Sequence, residues 1–439
     1  MNQKTRKTVV QQIVHIASRA ITDQDQINQI IKSYVLTEST FRLTRLITAE
    51  GISFMLVDVA VSEYEKLLQQ LLQQAGWEEK FSAEYLGKAI QRIVANFIKE
   101  GQTESAGKLF DQLVDEYEAF SSESIVYVPL AGISLPMDSF PMGNIVFRKM
   151  TEAHITGLLD QMKSITLLTL SEPEVKDEHI LWTGKQLEVF KGAICAEYHA
   201  VAEPQRARER AEEEVRAVLD LLRYSISLLY FQELNVAVGL QGEVVSIIRT
   251  EPVLALDGQS FELYSSRKGP LCPFELSTNN IQKMEQVGIF KVAEVLKHPE
   301  KATDFDKTLL RGIHWFATSR SQFERENEFL NLMTCLETFL TRSGQAFISP
   351  SLAEQVADGV ARLLTTRLEN RKALKQRVKD LYGMRSGVSH GGAKIILETN
   401  LTDLRNIAKE LIFQMIEQKD EFQTHQKFLN WLDERSLVG

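Results

Sequence analysis

Apolar residues recur every three to four positions over Val9–Ala20, Gln26–Leu36, Val61–Leu72 and Tyr85–Ile98, punctuated by Gly51, Gly76 and Gly101. That period predicts amphipathic helices, so residues 1–118 are read as a helical region. Glutamine crowds the solvent side, as in Leu68-Gln-Gln-Leu-Leu-Gln-Gln. From Ser121 the period changes. Ile125-Val-Tyr-Val-Pro-Leu and Asn144-Ile-Val-Phe-Arg-Lys are short β-branched and aromatic runs, with Gly132, Pro136, Pro141 and Gly143 between them. They predict a strand pair joined by a long turn. A further strand is expected at Ala193–Ala202. Pro204 then opens a helix over Gln205–Tyr230, with Val215, Val218, Leu219, Leu222 and Leu229 on one stripe. Short strands follow around Val244–Ile248, Val253–Leu256 and Phe261–Tyr264, separated by Gly242, Pro252 and Gly258. Residues 119–303 therefore read as a mixed α/β domain. From 304 to 439 the helical period returns over Leu309–Phe316, Asn327–Leu340, Ser351–Leu368, Arg371–Met384 and Leu401–Phe422, the last opened by Asn400 or Thr402 as a cap. Helices of that length with short connectors predict a bundle. The expected fold class is α+β multidomain, mostly α, with no internal repeat and no low-complexity segment.

Composition narrows the chemistry. A chain of 439 residues, 44% hydrophobic and 25% charged, is an ordinary globular composition with room for two or three cores. No leading segment pairs a basic start with an apolar core and a small-residue cleavage site, so no export signal is expected. The most apolar run, Ile52–Val61, is interrupted by Asp58 and is about half the length of a membrane helix. Cys195, Cys272 and Cys335 are scattered and form no CxxC pair. That argues against a zinc site or a disulfide framework and fits a reducing cytoplasm. His154, His179 and His199 share no ligand spacing, and no metal or cofactor is expected. Gly101–Leu109 superficially suggests a phosphate loop. Five residues, not four, separate Gly101 from Gly107-Lys108, and Leu109 replaces the metal-binding hydroxyl.

The net charge of −9 is unevenly placed: 20 Lys+Arg face 18 Asp+Glu from Lys301 onward, and 30 face 41 before it. The one dense basic run is Arg362–Lys379, with seven basic residues and the single acid Glu369. Such a run on an acidic body suits RNA binding, or is a solvated helix face. Directly after it comes Leu381-Tyr-Gly-Met-Arg-Ser-Gly-Val-Ser-His-Gly-Gly, which places Arg385, Ser386 and His390 among glycines. His390 is suited to proton transfer near neutral pH. Arg385 offers forked, permanently charged donors to a phosphate. On a straight helix the two would lie roughly 140° apart. Their convergence therefore calls for a helix break, which Gly387 permits.

This segment resembles the R-x4-6-H signature of HEPN domains, in the branch called Apea-like, whose members show Tyr, then Arg-Ser, then His-Gly. Cys335-Leu-Glu337-Thr-Phe-Leu resembles that branch's first core helix, and His314-Trp315-Phe316 the aromatic step before it. The likeness covers roughly the last 135 residues. It implies a four-to-five-helix HEPN bundle that dimerises so that two such motifs meet in one cleft. It also implies metal-independent endoribonuclease activity, with the ribose 2'-hydroxyl attacking its neighbouring phosphate. His390 would be the acid/base, Arg385 the phosphate clamp, Ser386 its orienter, and Glu337 the residue holding Arg385 across the bundle. Arg371, Lys372, Lys375, Arg377 and Lys379 would hold flanking phosphates of single-stranded or loop RNA. Residues 1–303 would sense a trigger ligand or protein, or restrain the site, in anti-phage defence or as a growth-arresting toxin. Toxins of the family silenced by a partner nucleotidyltransferase carry Tyr two residues after the His; Gly392 stands there, so that control is not expected. The alternative is a non-catalytic RNA- or protein-binding dimerisation scaffold, in which Arg385 and Glu337 form a buried ion pair.

Overall fold

The computed structural model describes the chain except for residues 37–43, 75, 170–172, 230–236, 244–246, 255–260, 269–271, 323, 343–350, 390–394 and 436–439. It divides into two compact units, Met1–Val126 with His199–Ala211, and Tyr127–Tyr198 with Glu212–Gly439. The sequence-expected boundary near 118 lies close to the first division, and the one near 304 lies inside the second unit.

The first unit contains α1 (Gln3–Ser18), α2 (Gln24–Leu36), β1 (Thr44–Ala49), β2 (Ile52–Val57), α3 (Val59–Leu72), α4 (Trp77–Lys80), α5 (Ala83–Glu100) and α6 (Thr103–Ala119). Asn2 caps α1 by accepting from Thr5 N at 2.9 Å, and Ser82 caps α5 by accepting from Tyr85 N at 3.1 Å. The expected helices form, and their stripes bury Ile13, Tyr64, Leu71, Ile90 and Phe110 in one core. The region is not purely helical, however. Thr44–Val57 folds as a hairpin pairing Ala49 with Ile52, across a turn whose Glu50 and Gly51 both have positive φ (49° and 72°). A two-residue loop of this hand matches strand twist. The apolar run that begins at Ile52 thus belongs to two elements, divided at Asp58, whose φ is 47°.

The returning segment His199–Ala211 is fixed to this core by Glu203. Its Oε1 accepts from Ser82 N at 3.1 Å and Arg206 N at 2.9 Å, and its Oε2 from Gln205 N at 2.8 Å. Glu203 thereby caps the helix that starts at Pro204, and Ala207 and Ala211 are fully buried behind it.

The second unit is built on β3 (Glu123–Ala131) from Tyr127 on, β4 (Ile133–Ser134), β5 (Ser139–Met142), β6 (Ile145–Lys149), α7 (Glu152–Thr169), α8 (Pro173–Glu188), β7 (Ile194–Val201) as far as Tyr198, and α9 (Pro204–Leu229) from Glu212 on. It continues with β8 (Gly239–Leu240), β9 (Ile247–Leu254), β10 (Phe261–Lys268), β11 (Phe274–Glu275), α10 (Thr278–Gln286) and α11 (Ile289–Lys297). The main sheet has the order β5-β6-β7-β3-β8, and β9 pairs with β10 as a separate antiparallel hairpin. Of the three short strands expected after Gly242, Val244–Ser246 and Ala255–Leu256 lie outside the described residues, as does Gly258. Ile247–Leu254 is one strand.

The C-terminal helices are α12 (Asp304–Arg320), α13 (Arg325–Leu340), α14 (Leu352–Leu364), α15 (Leu368–Ser389), α16 (Glu398–Glu417) and α17 (His425–Glu434). They pack as the expected bundle, with α13 against α12, α14, α15 and α16. Thr303 and Asp306 close a capping box at the start of α12. Gly312 lets α12 approach α13, since a Cβ there would lie 1.9 Å from Phe339 Cζ. The N-cap of α16 is Leu397, not Asn400 or Thr402. Asn400 is buried one turn inside, its Nδ2 donating to Met384 Sδ at 2.9 Å. Nor does α15 break at Gly387: an interior glycine weakens a helix by about 1 kcal/mol, which packing outweighs here. The helix is described as far as Ser389.

Candidate active site on α13 and α15

Glu337 lies in the last turn of α13, facing α15, and gathers two side chains from that helix. Tyr382 Oη donates to its Oε1 at 2.8 Å, and Arg385 Nη2 donates to its Oε2 at 3.0 Å. The two donors are three positions apart on α15, hence on one face. The Arg385 guanidinium carbon is also 5.6 Å from the centre of the Tyr382 ring, within reach of a cation–π contact. Arg385 is thus held from two sides, while its buried Nε has no hydrogen-bond partner among the described residues. Burial first, and then the hydrogen bond to Glu337, push the Tyr382 hydroxyl up to about 12, so it is a neutral donor at physiological pH.

Glu337 and Arg385, which the family resemblance implied would meet across the bundle, are in contact. Ser386 follows Arg385 on α15. His390 lies outside the described residues, and so does Gly392. Tyr382, though part of the motif that carries the resemblance, was given no role; the i, i+3 spacing to Arg385 could have assigned one.

Most of the basic run lies on α15, with Arg362 in the last turn of α14, and much of its charge is compensated by carboxylates of the bundle. Lys375 Nζ is 2.5 Å from both Glu354 Oε1 and Asp358 Oδ1, and Lys379 Nζ is 2.5 Å from Glu354 Oε2. Those two lysines, by hydrogen bonding, hold the Glu354 carboxyl below the usual carboxylate range. Arg377 Nη2 pairs with Asp403 Oδ2 at 2.8 Å. Arg371 donates to Thr365 O at 3.4 Å, and its buried Nε has no partner among the described residues. Lys372 is exposed, with no ion pair among the described residues.

A second polar cluster in this unit had no separate sequence signal. His314 Nδ1 on α12 lies 2.8 Å from Asp220 Oδ2 on α9, and Asp220 Oδ1 accepts from Arg223 Nη1 at 3.1 Å. The hydrogen bond to Asp220 raises the His314 pKa, against the opposing effect of partial burial. Its partners are 94 residues apart in sequence, so no local motif announces it. Among the described residues, no cluster of three or more His, Cys, Asp or Glu side chains could hold a metal ion. No protein-family model matches the chain, and no curated protein or solved structure matches it either.

Proposed function

We propose that the protein is a metal-independent endoribonuclease of the HEPN type, acting on single-stranded or loop RNA. The observation that carries the reading is the tethered Arg385: one donor to Glu337, its guanidinium carbon 5.6 Å from the centre of the Tyr382 ring, and an Nε without a partner among the described residues. A guanidinium so held gives up little conformational freedom when it clamps a phosphate, so it suits charge that grows in a transition state. In this reading His390 takes the proton of the attacking 2'-hydroxyl or returns one to the departing 5'-oxygen. The products are a 2',3'-cyclic phosphate and a 5'-hydroxyl. Ser386 orients Arg385 or the phosphate, and a second copy completes the cleft. Growth arrest in anti-phage defence is the corresponding biological role, with residues 1–303 as sensor or restraint.

One set of contacts favours the scaffold reading instead. Lys375, Arg377 and Lys379 are paired with carboxylates, as Arg385 is, so the bundle explains all four without RNA. The test is incubation of the purified protein with structured RNA in EDTA, beside Arg385→Ala and His390→Ala. Cuts ending in 2',3'-cyclic phosphate, absent from both variants, are expected. Equal cutting by wild type and variants would sink the nuclease assignment. A cell-growth assay adds a separate check: overexpression is expected to be toxic, and His390→Ala to relieve it.

A further inference from the structure

Helices α5 and α6 of the first unit leave an open cleft between them, with a volume of about 430 Å³. That lies within the roughly 300–1,000 Å³ of small-molecule sites. Only Gly101 and Gln102 join the two helices, which therefore run antiparallel. Counting back turn by turn sets Ala89 level with Leu113 and Ile93 level with Leu109, and these four make an apolar floor. Tyr85 and Tyr117 stand at one end, their ring centres 6.0 Å apart.

The rims carry charge of both signs. Lys88 and Arg92 stand one turn apart on the α5 side, and Glu116 is level with Lys88 on the α6 side. With Glu50, which lies beside Arg92, the lining charges cancel. Yet among the described residues no ion pair joins the two helices across the cleft. Lys88 turns to Glu84 at 2.8 Å and Arg92 to Glu50 at 3.8 Å, both exposed pairs, and Glu116 has no ion pair. Exposed pairs of this kind are weak, so a ligand can take their place.

The aromatic end adds a separate signal. Tyr117 is 3% exposed, and its hydroxyl has no hydrogen-bond partner among the described residues. Burial first, and then Tyr85, Glu203 and Glu116, hold its pKa above the usual tyrosine value, so the hydroxyl is a neutral donor. Buried donors are nearly always paired, and one left single at the end of a cleft asks for an acceptor from outside the chain.

We propose that this cleft binds an apolar dipeptide with both ends free. Its carboxylate lies between Lys88 and Arg92, its ammonium meets Glu116, and its side chains cover Ala89 and Ile93. The carbonyl of its peptide bond accepts from Tyr117. Packed helices lie roughly 8–10 Å apart, and an extended dipeptide spans about 7 Å, so its ends reach both rims. A single amino acid carries both charges on one carbon, too close together to do so. A polyanion such as a nucleotide gains no net attraction from lining charges that cancel. The inference is independent of the nuclease reading.

The experiment is titration calorimetry on the full chain with leucyl-leucine, leucyl-phenylalanine and phenylalanyl-leucine, each beside its N-acetylated, C-amidated form. At least one free dipeptide is expected to bind, and its capped form about tenfold more weakly or worse. Arg92→Gln, Glu116→Gln and Tyr117→Phe are each expected to weaken the free dipeptide about fivefold or more. Tyr117→Phe should melt no lower than wild type, because it removes an unpaired donor. No heat from any free dipeptide at millimolar concentration overturns the proposal. So does equal binding of free and capped forms, or binding that survives all three substitutions. Tighter binding of adenosine 5'-monophosphate than of any dipeptide would give the cleft to a nucleotide and overturn it too.

Discussion

Three charged contacts of the second unit differ in what their loss would do. Arg405 is 8% exposed, and its Nε and Nη2 reach Glu328 Oε1 and Oε2 at 2.6 and 2.9 Å. Glu328, equally buried, also accepts from Arg320. Removing the carboxylate would leave Arg405 with only Glu398, whose Oε1 accepts from its Nη1 at 2.6 Å, so Glu328→Leu is expected to cost about 3 kcal/mol in urea unfolding. Arg342 and Asp433 form an exposed pair, and Arg342→Ala is expected to change the same measurement by less than about 1 kcal/mol. The third contact is pH-dependent. The raised pKa of His314 means that protonation favours the folded state, because Asp220 binds the imidazolium. This stabilisation is fully present below the unfolded histidine value of about 6.5 and is lost as pH rises through the folded one. Wild type should therefore exceed His314→Gln in urea midpoint at pH 5.5, and the difference should shrink by pH 8.5. A constant difference would mean that the contact is not ionic.

Among the elements, the close crossing of α12 and α13 sets a sharp test. Gly312→Ala should gain about 1 kcal/mol of helix propensity. The added methyl would collide with the Phe339 ring, and overpacking of that kind costs roughly 1–3 kcal/mol or more. A lowered melting temperature is the expected net result. Elements of this kind were largely legible beforehand, because a 3.6-residue period over a dozen positions survives most tertiary contexts. The helices read from apolar stripes formed in both units, as did β3, β6 and β7, but α7 and α8, 18 and 16 residues long, were not expected. What was missed lacked such a period. The Thr44–Val57 hairpin is two six-residue strands beside helices, too short to separate from a helical start by periodicity. The cap of α16 went to Leu397 because Asn400 is drawn inward to Met384 Sδ, a contact 16 residues away in sequence. Gly387 permits a break but cannot impose one against the packed face of α15. At the candidate site, the meeting of Glu337 with Arg385 was expected only from the family resemblance. Tyr382 completing the cluster follows from helix geometry once both helices are in place.

For the molecule as a whole, charge placement decides how RNA would be met. The surplus of the basic run is largely internal: Glu354 and Asp358 between them take up Lys375 and Lys379. Replacing both acids by amides, Glu354→Gln with Asp358→Asn, would release the two ammonium groups to solvent. Under the RNA-binding reading, affinity for single-stranded RNA should rise, and the slope of log K against log salt should steepen by about 1–2. An unchanged slope in a binding titration would place the phosphate path elsewhere. Among the described residues, no helix is long and apolar enough to cross a membrane.

Glu203 gives the first unit an order of assembly in time. The segment it anchors, His199–Ala211, leaves the ribosome well after Val126. At 5–20 residues per second the interval is roughly 4–15 s. Until then the backbone N–H of Ser82 lacks its acceptor, so the nascent unit waits incompletely bonded. During that pause it would offer a docking place to chaperones. Synonymous codons that slow translation between 126 and 199 would lengthen the wait without altering a single side chain.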